Sequence, residues 1–352
     1  MTGRTTQPPR WMTVFGAVLL TALAVLLVWP GSPVFLVAFS ALLVALLLDG
    51  LAYLLMRLVP VPATLARLMV VALLGLAILA FFLLAGPRFS EQASELADRL
   101  PAAIDQVRDA VSHPPLQTPI ENLDPGALAP SGKDIVAGIT GVFSTVFTLI
   151  ANIAAILVIG LYLALQPRIY VRGVLHLVPE NRRERAREIL FSLGHALRWW
   201  LVGRFASMAG VGLLTTLGLW LIDMPLALVL GVIAGLFSFV PYIGPITSIV
   251  PALLIALTES LPMALWVTMV YVAVQFIEGN FLTPLIQRRA VSLPPAVLLP
   301  AQFALGLFYG LFGVLLATPL AIAVIVLVQM LWVQSVVGEP IRVLGDHSPP
   351  AR

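Results

Sequence analysis

Apolar residues run through this chain in stretches far longer than the alternation of a half-buried strand or the stripe of a soluble helix. Residues 11–29, 34–56, 65–85 and 201–222, and a stretch within 136–165, are each long enough to cross the hydrocarbon core, which takes about 20 residues. They predict five spanning helices. From 226 to 299 the apolar character continues, but the chain interrupts it three times. First comes Phe239-Val240-Pro241-Tyr242-Ile243-Gly244-Pro245, then Gln275-Phe276-Ile277-Glu278-Gly279-Asn280, then Pro284 and Pro294-Pro295. A proline removes a backbone donor and clashes with the preceding turn. Broken backbone at membrane depth survives only where protein covers it or where it lines a watery cavity. The pattern predicts an all-α polytopic membrane protein of about eight hydrophobic segments, with broken or re-entrant helices in its C-terminal half.

The polar insertions orient these spans. Residues 87–133 carry four Lys/Arg and seven acids, whereas residues 167–198 carry seven arginines and three glutamates. Cytoplasmic loops collect Lys and Arg, which places the second insertion inside and the first outside. Arg4, Arg10, Arg57 and Arg67 then also fall inside, with the amino terminus. Residues 225–239 and 246–258 are too short to span singly. They form either one bent span or a re-entrant hairpin whose tip is Pro241–Pro245, and residues 296–334 would then be a second hairpin, broken near Gly310–Gly313 or Pro319. Two opposed hairpins suit an inverted-repeat transporter. Gly235-Leu236-Phe237 and Gly306-Leu307-Phe308 are only a weak internal echo of such a repeat.

Composition narrows the function classes. Of 352 residues, 60% are hydrophobic and 11% charged, the net charge is +3 and there is no cysteine; mean hydropathy is +1.02. Little soluble mass remains for a nucleic-acid-binding face. None of the four histidines lies in a strongly apolar run, which argues against a zinc or Ser/His hydrolase, and no phosphate-binding GxxxxGK[ST] loop is present. No enzyme activity, cofactor or metal site is expected.

The broken segment carries a resemblance. Leu219 to Pro225, then Gly235 through Pro245 with Pro251-Ala252, then Gln275 to Asn280 with Pro284 and Pro294, and finally Gly310 to Gly313 with Ala317 to Leu320, resemble the autoinducer-2 exporter (AI-2E) family of bacterial permeases. Residues 49–68 and Trp200, Gly203 and Arg204 fit more loosely, so the resemblance covers nearly the whole chain. It implies a multi-pass, oligomeric permease of the bacterial inner membrane with about eight spans. The family name comes from export of a small quorum-sensing furanone, while other members are linked to sodium/proton antiport or other solutes; the substrate does not carry over.

Glu278 is the leading candidate for coupling. An intramembrane carboxylate that exchanges protons with a pathway can tie transport to a proton gradient; alternatively it is an interfacial acid paired with Arg288 or Arg289. Gln275, three residues earlier on the same helical side, could share a cation or substrate hydroxyl with it. Asn280 either joins them or caps the broken helix. Pro241, Gly244, Pro245 and Pro284 shape breaks that expose backbone groups to a solute or ion path, and Tyr242 serves either as gate or as interfacial anchor. Asp49 and Asp223 read as solvated caps at span ends, and Asn152 as a polar tie between helices.

The segments group as follows: three spans in 1–86, an external amphipathic helix and Pro-rich linker in 87–135, a fourth span in 136–166, a basic cytoplasmic segment in 167–198, a transport core in 199–335 and a cytoplasmic tail in 336–352. The external helix, apolar at Phe89, Ala93, Leu96, Leu100 and Ile104, either meets neighbouring protomers or lies on the bilayer. The basic helix of residues 180–200 is expected on anionic lipid. The expected function is a secondary transporter for a small solute or ion, coupled to protons or sodium, whose partners are the bilayer and further copies of itself. The alternatives are a passive pore or a non-transporting envelope scaffold.

Overall fold

In a computed structural model the protein is described at residues 32–112, 153–282 and 293–337. The run at 11–29, Asn152, Pro284, Arg288, Arg289 and the tail from 338 lie outside the described residues. Among the described residues there is no strand. The helices are α1 (Ser32–Leu58), α2 (Ala63–Leu84), α3 (Gly86–Ser112), α4 (Ile153–Leu165), α5 (Pro167–His176), α6 (Arg183–Leu221), α7 (Ala227–Phe237), α8 (Ile243–Glu259), α9 (Leu261–Ile277) and α10 (Pro295–Val328). Five of them are long and apolar enough to cross a membrane, or six if α4 and α5, bent by 84°, form one span. The all-α polytopic class therefore holds, with α7 and α8 as shorter apolar helices beside the spans.

Two segments read separately in the sequence are one element. The basic amphipathic stretch and the span after it fuse into α6, a single helix of 39 residues. Nothing in Arg183–Leu221 breaks it, for no proline occurs there. Ser207 stands on this one helix.

The chain divides into two compact units, residues 1–73, 154–204 and 286–352 in one and 74–153 and 205–285 in the other. In the first, Ala45, Leu48 and Ala52 of α1 pack with Ala66 and Val70 of α2 and Ala164 of α4. Small residues bring the backbones together: a Cβ at Gly160 would meet the Ala41 carbonyl at 2.9 Å. The outward side of α2, including Leu76, Ile78, Phe82 and Leu84, is exposed, as a lipid-facing helix requires.

Asp49 departs from the solvated-cap expectation. Its Oδ1 accepts from Arg67 Nε at 3.1 Å and Nη2 at 2.8 Å, and its Oδ2 pairs with Arg198 Nη2 at 2.7 Å. One carboxylate thus ties α1, α2 and α6 together. Three charges about a quarter exposed or less hold only as a set, because removing one partner strands the others. Asp49→Asn leaves two guanidiniums facing a neutral amide, and we expect a loss of about 2–3 kcal/mol, read as a lower midpoint of thermal unfolding in detergent. Arg57, stacked 4.8 Å over the Tyr53 ring at the exposed end of α1, is the control, with a change below about 1 kcal/mol.

α10 is continuous only in outline. Gly310 has φ 58° and ψ −144°, a conformation that an L side chain resists. Residues 305 and 313 would sit about 12 Å apart along a straight helix, yet a Cβ on Gly313 would collide with the Leu305 carbonyl. The chain therefore turns back sharply at Gly310, and Pro319 lies buried within the second leg.

Candidate functional site

The second unit is built around a helical hairpin. α7 begins after Leu226, a left-handed residue at φ 62°, and has no side-chain cap of its own. α8 ends at Glu259. Between them the chain reverses through Ser238–Tyr242, where Tyr242 holds φ 68°, a position costly for a residue bearing a Cβ. The turn is close-wrapped: Val240 N–H donates to the Phe237 carbonyl and Gly244 N–H to the Val240 carbonyl, each at 3.0 Å. A Cβ at Gly244 would collide with that same Phe237 carbonyl. Only a hydrogen fits there, which accounts for a glycine directly before Pro245.

Both open ends of the hairpin meet α3. Gln92 Oε1 accepts the Val229 N–H at 3.2 Å, taking one of the orphan donors that every helix start leaves. Arg99 reaches Glu259, at the end of α8, at 3.1 Å while pairing with Glu95 at 2.6 Å. Gln92 and Arg99 are two turns apart on one helix, about 10 Å, so the entry and exit of the hairpin lie side by side. The apolar side of α3 is covered here: Leu96 and Ala103 are buried in the core formed by α7, α8 and α9, with Phe89 and Ala93 against it. This helix finds its cover within its own chain rather than on a bilayer surface.

α9 carries the polar residues singled out from the sequence. Its regular helix gives way at Glu278 to a π-helical turn, Glu278–Leu282, a widening often found at functional positions. Glu278 is only 8% exposed, and its Oε1 accepts from Ser207 Oγ of α6 at 2.6 Å. Gln275, one turn earlier, lines a cavity of about 10 Å³ together with Thr215, Ser238, Pro245, Ser248 and Tyr271, space for about one water. Tyr271 donates to the Ser248 carbonyl at 3.2 Å, while the Thr215 hydroxyl, fully buried, has no protein partner among the described residues.

The sequence-selected residues thus separate into four places. Gln275 and Pro245 meet at the cavity, with Glu278 one turn away against Ser207. Pro241, Tyr242 and Gly244 form the hairpin tip, Tyr242 being 44% exposed. Asn280 is turned to the outside, its Nδ2 donating to the Phe276 carbonyl at 2.9 Å, a cap on the widened turn. Asp223 sits in an exposed left-handed turn at φ 53°. Ser207, Thr215, Ser238, Ser248 and Tyr271 were not legible as site residues, because a hydroxyl within an apolar helix has no periodicity of its own. Their one signal is local: Gly212, Gly231 and Gly235 lie near them and let α6 and α7 touch backbone to backbone, Gly235 facing the Met208 carbonyl at 2.8 Å.

Known proteins are similar to this chain in sequence. YueF of Bacillus subtilis, provisionally named a transport protein, is 26% identical over 306 residues, 81% of this chain and 83% of YueF. YrrI of the same organism, named likewise, is 34% identical over 148 residues, 42% of each chain. PerM of Escherichia coli, provisionally named a permease, is 26% identical over 184 residues, 49% of this chain and 52% of PerM. The AI-2E family transporter pattern matches residues 15–332, a range that holds α1 through the end of α10, both chain reversals and the Glu278 turn, and the chain accordingly belongs to the AI-2E family of membrane transporters.

Proposed function

We propose that this transporter is a secondary carrier of the bacterial inner membrane, moving a small solute or ion at the expense of a proton or sodium gradient, with Glu278 as the coupling carboxylate. The observation that carries the proposal is the buried pair of Glu278 and Ser207, 2.6 Å apart, at a π-helical turn one helical turn from the water-sized cavity that Gln275 lines. A hydroxyl both donates and accepts. Ser207 can donate to an ionised Glu278 and accept from a protonated one, so the contact can persist in both states. Gln275 and the cavity hydroxyls then offer neutral ligands to whatever moves, and Pro245, at the chain reversal that Pro241, Tyr242 and Gly244 form, lines the same cavity. A homo-oligomer is the assembly expected for such a chain, and no nucleotide-binding motif supplies another energy source.

The test is a flux screen with the purified chain in proteoliposomes under imposed proton and sodium gradients, read by an entrapped pH dye and by solute uptake. Saturable uphill movement that collapses with one gradient is the expected result. Gradient-independent conductance that never saturates would replace the carrier with a passive pore. Within that assay Ser207→Ala, which deletes a hydrogen bond to a charged group worth about 1.5–3 kcal/mol, is expected to slow coupled flux about tenfold or more. Ser207→Thr, which keeps the hydroxyl, is expected to restore most of it.

A further inference from the structure

We infer that α5 lies in the plane of the membrane and docks on anionic phospholipid headgroups of the cytoplasmic leaflet, with Arg168 and Arg172 as the headgroup contacts. α5 turns 84° away from α4 at Pro167, so where α4 runs along the bilayer normal, α5 runs along its surface. Crossing is closed to it on two counts. Ten residues reach about 15 Å, half of the hydrocarbon core, and Arg168, Arg172 and His176 are costly within that core. The apolar run in 136–165 is long enough to span without it.

The side chains sort into two stripes, as such a position demands. Tyr170, Val174 and Leu177, spaced by four and three, are all exposed, Leu177 to 86%. They continue the exposed apolar side of α4, which carries Leu157, Val158 and Tyr162. Arg168, Arg172 and His176, spaced by fours, stand nearly opposite, and His176 Nδ1 lies 2.7 Å from the Arg172 carbonyl. Ile169, exposed among the basic residues, is the one exception to the sorting. Leu175 is the buried residue of α5, so the chain itself covers little of this helix. Charge names what does. The sequence points to residues 180–200 for anionic lipid, but arginines there are engaged within the chain. Arg198 pairs with Asp49, and Arg185 pairs with Glu188 and donates to the Met330 carbonyl and Gln334. Arg183 and Arg187 each face a glutamate one turn away. Arg168 and Arg172 are exposed and pair with no acid among the described residues. Two such guanidiniums beside an apolar stripe match phosphate oxygens above acyl chains, on the leaflet that carries the negative surface potential.

The test reads α5 locally and measures no flux, so it stands or falls apart from the carrier reading. The chain has no cysteine, so a fluorophore can be attached at Val174→Cys alone. The full chain is placed in vesicles of phosphatidylcholine and phosphatidylglycerol, and either lipid is supplied with a nitroxide that quenches the fluorophore on contact. Phosphatidylglycerol is expected to quench about fivefold or more better than phosphatidylcholine, since each arginine near the surface attracts anionic lipid by about that factor. Arg168→Gln with Arg172→Gln is expected to bring the two lipids close to parity, whereas Arg168→Lys with Arg172→Lys keeps the preference. A fluorophore at Leu157→Cys, on the exposed side of α4, is expected to show no preference in any background, which reports that each variant is folded and inserted. Equal quenching by the two lipids in the parent, or a preference that survives the glutamine substitutions, would overturn the headgroup contact. Quenching by neither lipid would mean that another copy of the chain covers α5, and would overturn its docking on the bilayer.

Discussion

Glu278→Gln is expected to lower gradient-driven flux in reconstituted vesicles by roughly a hundredfold or more, the scale on which a positioned proton-transfer group acts. Expression, assembly size and thermal stability are expected to stay close to those of the parent. The two halves of this expectation come from the same geometry. Ser207 Oγ donates to Glu278 Oε1 at 2.6 Å, and a Gln at 278 still presents an oxygen acceptor of the same shape, so the contact between α6 and α9 survives. What disappears is the capacity to gain and lose a proton. A purely structural carboxylate would be replaced by its amide with little change in flux, and such a result would sink the coupling role. Ser207→Ala reports on the same pair from the other side, where the titrating group is kept and its partner removed. Full flux in Glu278→Gln but not in Ser207→Ala would assign the pair to packing rather than to coupling.

The class of this protein was written in its runs of apolar residues, because a bilayer imposes a length that no soluble core requires. The breaks were legible for the same reason: Pro241, Pro245 and Gly310 stand where an uninterrupted helix would be cheaper. Within 296–334 the sequence left two positions for the break, and the conformation of Gly310 decides between them. The echo of Gly235-Leu236-Phe237 in Gly306-Leu307-Phe308 gains a physical meaning. Each triplet ends the helical leg just before a reversal, and each reversal is followed by a glycine, Gly244 or Gly313, pressed on a carbonyl of that leg.

Illegible were the partners separated in sequence. Asp49 looks like any acid near the end of a span; only folding shows Arg67 and Arg198 converging on it. Likewise the amphipathic pattern of α3 demanded an apolar surface without naming one, and the hairpin of its own chain supplies it. Glu278 was conspicuous as a charge in an apolar run, whereas Ser207, 71 residues away, was one small residue among many. Charge and chain breaks are costly enough in lipid to be visible one residue at a time. A hydroxyl is cheap in a helix, where it can bond its own backbone as Thr216 bonds the Gly212 carbonyl at 2.8 Å, so its role depends on what stands opposite.

Gly244→Ala is expected to cost about 3 kcal/mol or more, at the upper end of overpacking penalties, and to leave little chain in the monodisperse peak on fluorescence-detected size exclusion. The added methyl would overlap the Phe237 carbonyl, and that carbonyl is not free to swing aside, because it accepts the Val240 N–H that closes the turn. Relief requires either breaking that bond within a buried turn or prising α7 from α8, whose core includes Leu230, Ala234, Ala252 and Ile255. Gly279→Ala is the matched control: it lies next to Glu278, and a Cβ there meets nothing within 4 Å. In a helical segment that substitution is expected to be neutral or to gain up to about 1 kcal/mol. The pair isolates close approach from any general intolerance of this apolar region to added bulk. Gly313→Ala, facing the Leu305 carbonyl after the second reversal, is expected to behave as Gly244→Ala does. If Gly244→Ala instead melts with the parent, α7 and α8 do not meet through Phe237.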